Sequence, residues 1–138
     1  MRAGTTTRFS SGDAEATLKE VANVADVSLK RKDASATWAM AWEDGYPFTA
    51  PVGKFKPNPW GLYDMHGNVF QWCFDWYEKD YQNGLKQDPQ GPDAGMSRVA
   101  RGGCFDLNVL SGRSAHRNIR LKPSSRDWRL GFRVVRER

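Results

Sequence analysis

The sequence predicts a small α+β fold that is irregular and rich in loops. Three observations lead to this prediction: one segment alternates aromatic with smaller residues, two further segments are short and apolar, and long stretches are dense in Gly, Pro and Asp. The alternating segment carries its large rings at every second position, at Phe70, Trp72, Phe74 and Trp76. Bulky residues with a period of two are typical of a half-buried strand.

The other predicted elements are short. Residues 98–100 and 130–136 are predicted strands because they combine Val, Leu and Phe with arginine. Residues 13–22 are a predicted short helix whose first residue, an aspartate, is the N-cap. Residues 46–59 are dense in Pro and Gly, residues 78–97 are dense in Asp, Pro, Gly and Gln, and both are predicted loops. Short strands joined by long loops favour an α+β arrangement over a helical bundle.

Length and composition indicate one domain over residues 1–138. A chain of 138 residues with 39% apolar residues can bury one modest core. No apolar stretch approaches the ~20 residues that span a bilayer, and nothing near Met1 resembles a signal peptide. We therefore expect a cytoplasmic chain without membrane contact.

The positive charge is concentrated at the C-terminal end. Residues 98–138 carry 11 Lys and Arg, ten of them Arg, against three Asp and Glu, whereas residues 1–97 carry a slight negative excess. A basic segment can bind nucleic acid, but these arginines are scattered among Gly, Trp and strand-like residues. Arginine also forms planar ion pairs with carboxylates, so structural ion pairs are the favoured interpretation and no nucleic-acid partner is expected.

Cysteine and histidine are too few for a disulfide framework or a zinc site. The chain has only Cys73 and Cys104, and its two histidines, His66 and His116, lack the spacing that would complete a metal site with them. Two free thiols in a reducing compartment are the simplest interpretation.

Three segments in order resemble the formylglycine-generating, or sulfatase-modifying factor, family. They are DGYPFTAPVGKFKPNPWGLYDMHGNVFQW at 44–72, RVARGGCF at 98–105, and GRSAHRN with PSSRDWRLGFRVV between 112 and 135. The match covers nearly the whole chain and is poorest at residues 30–42. The resemblance implies a C-type-lectin-like fold with short antiparallel strands. Because residues 2–13 resemble an internal stretch of the family, the chain is expected to be the C-terminal portion of a longer domain, truncated at its N-terminus.

The resemblance also implies two structural calcium sites. Calcium accepts carboxylate, amide and backbone carbonyl oxygens together. The first site would use the Asn23 side chain, the Val24 carbonyl, the Asp44 carboxylate and the Tyr46 carbonyl. The second would use Asp64, the carbonyls of Gly67 and Val69, and Gln71, where the family often has Glu. The alternative is that these residues are ordinary turn formers that bond their own backbone.

The family's enzymes oxidise a substrate cysteine to formylglycine with copper held by two thiolates, and this chain departs from that pattern. Thiolates are the ligands that Cu(I) prefers, but residues 105–138 contain no cysteine. Copper is therefore not expected, and no catalytic residue is assigned. Cys104, where the family usually has Ser, is the candidate reactive thiol; the alternative is a small buried side chain.

The resemblance implies a ligand cleft beside the RGG segment, and it leaves several functions open. Its candidate residues are Phe70, Asp106, Asn108, His116 and Trp128. The first hypothesis is a noncatalytic binding or scaffold domain for a protein or peptide. The second is a variable recognition module of the C-type-lectin type, with Asp106–Ser111 and Ile119–Leu121 as exposed, adaptable positions. The third is part of an active sulfatase-modifying oxidase that another chain completes.

Self-association is a further expectation. In lectin-like folds the last strand commonly pairs with a strand near the N-terminus, which this chain would lack. An unpaired strand edge tends to recruit another chain, so a homodimer is expected.

Overall fold

The computed structural model describes residues 2–79 and 91–136 and shows short strands connected by irregular loops. The elements in chain order are a 3-10 helix Glu15–Leu18, β1 Ala22–Asn23, α1 Val27–Lys30, β2 His66–Gly67, β3 Phe70–Trp76, β4 Arg98–Arg101, a 3-10 helix Val109–Gly112, β5 Asn118–Leu121 and β6 Leu130–Gly131. Most of the predicted loop 78–97 lies outside the described residues. No helix within the described ranges is long and apolar enough to cross a membrane.

The principal sheet has four strands in the order β5-β4-β3-β6. The predicted aromatic strand is confirmed as β3, and the predicted strand 98–100 is confirmed as β4, which pairs antiparallel with β3 through Trp72 and Ala100. The ladder shifts register between Trp72 and Trp76. β5 continues the sheet antiparallel to β4. β1 and β2 form a separate parallel pair of two residues each.

The closing segment is shorter than predicted. Only Leu130–Gly131 forms a strand, and it pairs parallel with β3 at Phe70 and Gln71. This strand lies at the edge of the sheet, and among the described strands it has no partner from the N-terminal part of the chain. Beyond it, the Arg133 side chain donates to the Gln71 Oε1 atom and the Tyr63 carbonyl, while Phe132, Val134 and Val135 are exposed.

The aromatic residues of β3 are not equally covered. Phe70 is 2% exposed and packs in the core, whereas Phe74 is 79% exposed. At the far end of the strand the Arg98 guanidinium lies over the Trp76 ring at 3.6 Å from its centroid. The alternation of aromatic residues thus predicted the strand correctly, but the aromatic face is buried at its Phe70 end and exposed to solvent at Phe74.

The predicted helix 13–22 is replaced by a single 3-10 turn. Asp13 does not cap it: its Oδ1 atom accepts the backbone N–H of Arg8, and the N-cap position is Ala14. The turn ends because Ala22 and Asn23 extend into β1. A true side-chain cap occurs later, where Asp26 Oδ1 accepts the N–H groups of Ser28 and Leu29 at the start of α1.

The apolar core of the described residues is divided into small clusters. One joins the N-terminal segment to the second 3-10 helix, one lies around α1, and one lies on the sheet at Phe70, Ala100 and Cys104. Small clusters bury little apolar area each, so polar contacts must hold the loops between them.

His66 is one such polar contact and is 2% exposed. Its Nδ1 atom lies 2.8 Å from the Gly112 carbonyl, and its Nε2 atom lies 3.0 Å from the Ser10 backbone nitrogen. Since the Ser10 N–H can only donate, Nε2 is the acceptor and Nδ1 carries the proton. Burial lowers the pKa of His66, which favours this neutral form. One imidazole thereby joins three chain segments.

Gly67, which follows His66, allows the closest backbone approach in this region. Its φ is +90°, and a Cβ atom there would lie 1.9 Å from the Asn23 carbonyl oxygen. That carbonyl accepts the Asn68 N–H at 2.8 Å. Only a residue without a side chain fits between β1 and the turn at Asn68.

We expect Gly67→Ala to prevent stable folding or to cost several kcal/mol. The left-handed conformation alone costs an alanine about 1–2 kcal/mol, and here the methyl group also collides with backbone that cannot move independently. Gly61→Ala is the matched control, because Gly61 has φ +73° and nothing within 4 Å of a Cβ atom. Urea unfolding of both variants measures the difference, and equal losses would show that the contact with Asn23 is unimportant.

Candidate functional site

A groove of about 460 Å³ lies beside the second 3-10 helix. Its lining includes three of the predicted cleft residues, Phe70, Asn108 and His116. The other two do not line it: Asp106 is buried, and Trp128, which is 62% exposed, packs edge-on against Phe105. The remaining lining residues are Leu107, Leu110, Ser111, Arg113, Arg117 and Asn118.

The RGG segment positions this groove. Gly103 has φ +77°, and a Cβ atom there would lie 2.8 Å from the Cα atom of Gly112. The segment after β4 can therefore pass directly beneath the end of the 3-10 helix. Asn108 caps that helix, because its Oδ1 atom accepts the Leu110 N–H at 2.9 Å. The cap holds Leu110 and Ser111 in fixed positions at the groove.

Phe70 and His116 are the two aromatic rings that line the groove. Their rings are 6.5 Å apart and tilted by 32°. Burial, with the neighbouring Arg113 and Arg101, lowers the pKa of His116. The imidazole is therefore predominantly neutral at pH 7.

The exposed, adaptable positions predicted in the loop 106–111 are only partly exposed. Asp106 and Val109 are 8% and 3% exposed, so they are structural. Within that loop the groove is lined by Leu107, Asn108, Leu110 and Ser111. In the second predicted stretch, Leu121 packs against the sheet cluster, and the side chains of residues 119 and 120 lie outside the described part.

A second groove of about 280 Å³ adjoins the first and was not predicted. Arg113 and His116 line both grooves, and the N-terminal segment supplies the opposite wall through Arg2, Thr6, Thr7, Arg8 and Asp13. The Ser114 N–H donates to the Arg8 carbonyl at 2.8 Å and brings the two segments together. No local sequence pattern signals this contact, because the residues are far apart along the chain.

Cys104 is 1% exposed, and its thiol donates to Asp106 Oδ1 at 3.2 Å. Burial and the Asp106 carboxylate raise the pKa of this thiol far above its usual value. A reactive cysteine needs a thiolate and access to its partner. Burial also raises the pKa of Cys73. This geometry favours Cys104 as a small buried side chain.

Asp106 has a structural partner in Arg129. The Arg129 Nε atom lies 2.9 and 2.8 Å from the two carboxylate oxygens. The Trp38 indole N–H donates to the Asp106 carbonyl at 3.1 Å. The predicted role of the C-terminal arginines in structural ion pairs thus has a clear instance here.

The structure brings part of the first predicted calcium site together. The Asp44 carboxylate accepts the N–H groups of Val24 and Tyr46 at 3.1 and 2.8 Å, so it contacts these two residues through their nitrogens and not through the carbonyl oxygens predicted as ligands. The Asn23 amide donates to the Phe48 carbonyl, while its Oδ1 atom is buried without a hydrogen-bond partner among the described residues. Burial, with the neighbouring Asp26, raises the pKa of Asp44 to about 7. A cation would satisfy the orphaned oxygen and favour the ionised carboxylate.

The second predicted calcium site fits less well. The Asp64 Oδ1 atom is also buried without a partner in the described part of the chain. Gln71, however, donates to the Asp64 carbonyl and accepts the Arg133 Nε–H at 3.1 Å. A guanidinium on the expected ligand oxygen repels a divalent cation.

The structure is a C-type-lectin-like domain of the formylglycine-generating type. Its defining features are the turn at RGG, the irregular, partly aromatic sheet, and the loops held by buried polar contacts. A family model for the sulfatase-modifying factor enzyme 1-like domain matches residues 1–138. The chain belongs to this family.

Proteins with different names contain a segment that is similar in sequence to this chain. The formylglycine-generating enzyme of Streptomyces coelicolor is 40% identical over 99 residues, which is 69% of this chain and 31% of that enzyme. The serine/threonine-protein kinase pkn1 of Chlamydia caviae is 44% identical over 91 residues, 64% of this chain and 15% of the kinase. The chain therefore spans less than a third of the length of either relative.

A solved structure, Treponema denticola variable protein 1, has the same fold. It matches with a TM-score of 0.75 and 31% identity over 95% of this chain and 41% of that protein. The irregular α+β architecture expected from the sequence is thereby confirmed.

We expect Arg129→Met to destabilise the chain by about 2 kcal/mol. The substitution leaves the Asp106 carboxylate buried without its cation; the cost is below the ~3–5 kcal/mol of a fully buried pair because Arg129 is 34% exposed. Lys56→Met is the control, since both side chains of the Lys56–Glu20 pair are 68% exposed, and it should have little effect. Urea unfolding measures both, and equal midpoints would contradict a structural role for Arg129.

Proposed function

We propose that this chain is a noncatalytic recognition domain whose groove beside the second 3-10 helix binds a peptide segment of a partner protein. One observation carries the proposal: the groove contains no thiol, and the nearest cysteine along the chain, Cys104, is buried and protonated. The chain nevertheless matches the family's domain over residues 1–138. A binding function uses the groove's shape and polar groups and does not need the metal chemistry of the family's enzymes.

Copper chemistry has no ligand set among the described residues. A Cu(I) site of the family type needs two accessible thiolates. The chain has two cysteines, neither lies at the groove, and burial raises the pKa of both. The described residues also contain no cluster of three or more His, Cys, Asp and Glu side chains, which are the usual ligands of a transition metal.

We expect no formylglycine to form when the chain is incubated with a cysteine-containing sulfatase-type peptide, Cu(I) and oxygen. The reason is the missing thiol pair. Mass spectrometry of the peptide measures the aldehyde, with an active formylglycine-generating enzyme as the positive control. Aldehyde that forms with wild type but not with Cys104→Ala would contradict a noncatalytic role.

Peptide binding tests the groove directly. Peptides selected from a displayed random library on the full chain should lose about tenfold or more in affinity for Ser111→Trp, because the indole fills volume that the ligand must occupy. Ser124→Trp places the same ring at an exposed position outside both grooves and should leave binding unchanged. Failure to select any binder, or equal binding to both variants, would contradict the proposed site.

A variable recognition module is the second candidate function. Its support is the similarity to Treponema denticola variable protein 1 over 95% of this chain. Leu107, Asn108, Leu110 and Ser111 would be the adaptable positions, since they line the groove while Asp106 and Val109 are buried. A template repeat and a reverse-transcriptase gene beside the coding sequence would distinguish this candidate from a fixed binding domain.

We also propose a structural calcium ion at the first predicted site. Asn23, Val24, Asp44 and Tyr46 would hold it, supported by the orphaned Asn23 oxygen and the Asp44 carboxylate. The second site is not proposed, because Arg133 contacts Gln71 there.

Calcium is expected to raise the melting temperature relative to a chelator. The gain is ~2.7 kcal/mol when free calcium is a hundredfold above its dissociation constant. Asp44→Ala should abolish most of the shift, whereas Asp33→Ala, at an exposed turn, should retain it. Differential scanning calorimetry with calcium, magnesium or EDTA measures the shift, and coincident melting curves would remove the calcium proposal.

A further inference from the structure

The two adjoining grooves form one surface with a strong excess of positive charge. We call it the composite groove: the 460 Å³ and 280 Å³ grooves that share Arg113 and His116. Four arginines line it, Arg2, Arg8, Arg113 and Arg117, against one carboxylate, Asp13. The N-terminal segment and the segment after the second 3-10 helix contribute two arginines each.

Within the described part of the chain, the guanidinium groups of Arg8 and Arg113 form no ion pair with a carboxylate. The ion pairs within the described residues involve Arg31, Lys56 and Arg129. Arg113 uses its Nε–H for the Leu110 carbonyl at 3.1 Å, and Arg8 interacts with the described residues through its backbone. The terminal nitrogens of Arg113 and the guanidinium of Arg8 therefore retain their capacity to bind an anion.

The larger part of the composite groove is mainly apolar. Phe70, Leu107 and Leu110 line it together with the polar side chains of Asn108 and Ser111. Arg113 lines both parts of the composite groove, so a cationic group lies directly beside the apolar part.

We infer that the occupant of the composite groove is an acidic peptide segment. An apolar side chain of the peptide packs against Leu107 and Leu110, and adjacent Asp or Glu residues pair with Arg113 and Arg8. The inference rests on the proposed function and specifies the ligand class. Carboxylates match the planar donors of arginine, and pairing at the edge of an apolar pocket is partly shielded from water.

A nucleic acid would match the charge but not the surface. Single strands are bound by exposed aromatic faces on which bases stack. The aromatic rings that line the composite groove are Phe70 and His116; Phe70 is 2% exposed, and the two rings pack against each other. Trp128, the exposed indole near this end of the fold, does not line the groove.

The experiment uses the displayed peptide library selected on the full chain. Selected peptides should be enriched in Asp and Glu next to Leu, Ile or Phe relative to the unselected library. Synthetic copies should bind Arg113→Gln about fivefold to tenfold more weakly, consistent with loss of one partly shielded charged contact. Arg126→Gln removes the same charge at an exposed position outside the groove and should bind like wild type.

The outcomes separate the inference from the function on which it rests. Selected peptides without acidic enrichment, but with affinity lost in Ser111→Trp, would overturn the inference and leave the recognition function intact. Equal weakening by Arg113→Gln and Arg126→Gln would show general charge attraction and overturn it as well. Single-stranded oligonucleotide that competes for the groove and binds more tightly than any selected peptide would assign the surface to nucleic acid instead. Selection of no peptide at all would overturn both.

Discussion

The neutral His66 imidazole and the glycine that follows it hold the remaining structure together. His66 bonds to the N-terminal segment through Ser10 and to the end of the second 3-10 helix through Gly112. Gly67 then lets the chain pass against β1 with no room for a side chain. The apolar clusters are small and separate, so these polar contacts determine how the clusters are arranged. Both sides of the composite groove depend on them, because Ser10 lies two residues after Arg8 and Gly112 directly precedes Arg113.

Arginine has two physical roles in this domain. Arg129 and Arg98 are used internally, one on the buried Asp106 carboxylate and the other over the Trp76 ring. Arg8 and Arg113 instead face a groove without an ion-pair partner among the described residues. The arginines of residues 98–138 therefore divide into structural ones, such as Arg129 and Arg98, and Arg113, which lines the groove without an ion-pair partner among the described residues. Counting charges in the sequence could not separate structural arginines from unpaired ones, because the difference depends on which carboxylates lie near each arginine in the fold.

The sequence located the strands whose signal is local and failed where the signal is a tertiary contact. Alternating rings define β3 because period two is a property of the segment itself. The predicted helix at Asp13 was wrong because that carboxylate accepts the Arg8 N–H rather than capping a helix. The last strand is shorter than predicted, and beyond it the Arg133 side chain donates to the distant Tyr63 carbonyl. Three of the five predicted cleft residues line the groove: Phe70 and His116 lie in segments that carry the family resemblance, and Asn108 lies between two of those segments. The second groove was missed because its walls lie at opposite ends of the sequence.

The long reach of these contacts has a consequence for the kinetics of folding. Ser10 and His66 are 56 residues apart, Trp38 and Asp106 are 68 apart, and Tyr63 and Arg133 are 70 apart. Each of these contacts closes a long loop, and the entropy lost in closing it must be offset by other contacts that form later. Proteins with many such long-range contacts fold slowly, and we expect this domain to do the same. During synthesis the N-terminal segment must wait for residues beyond 110, which a ribosome reaches only after roughly 5–20 s. Until then its apolar residues, Phe9 among them, are without their final neighbours, and this interval is when the nascent chain is most exposed to aggregation.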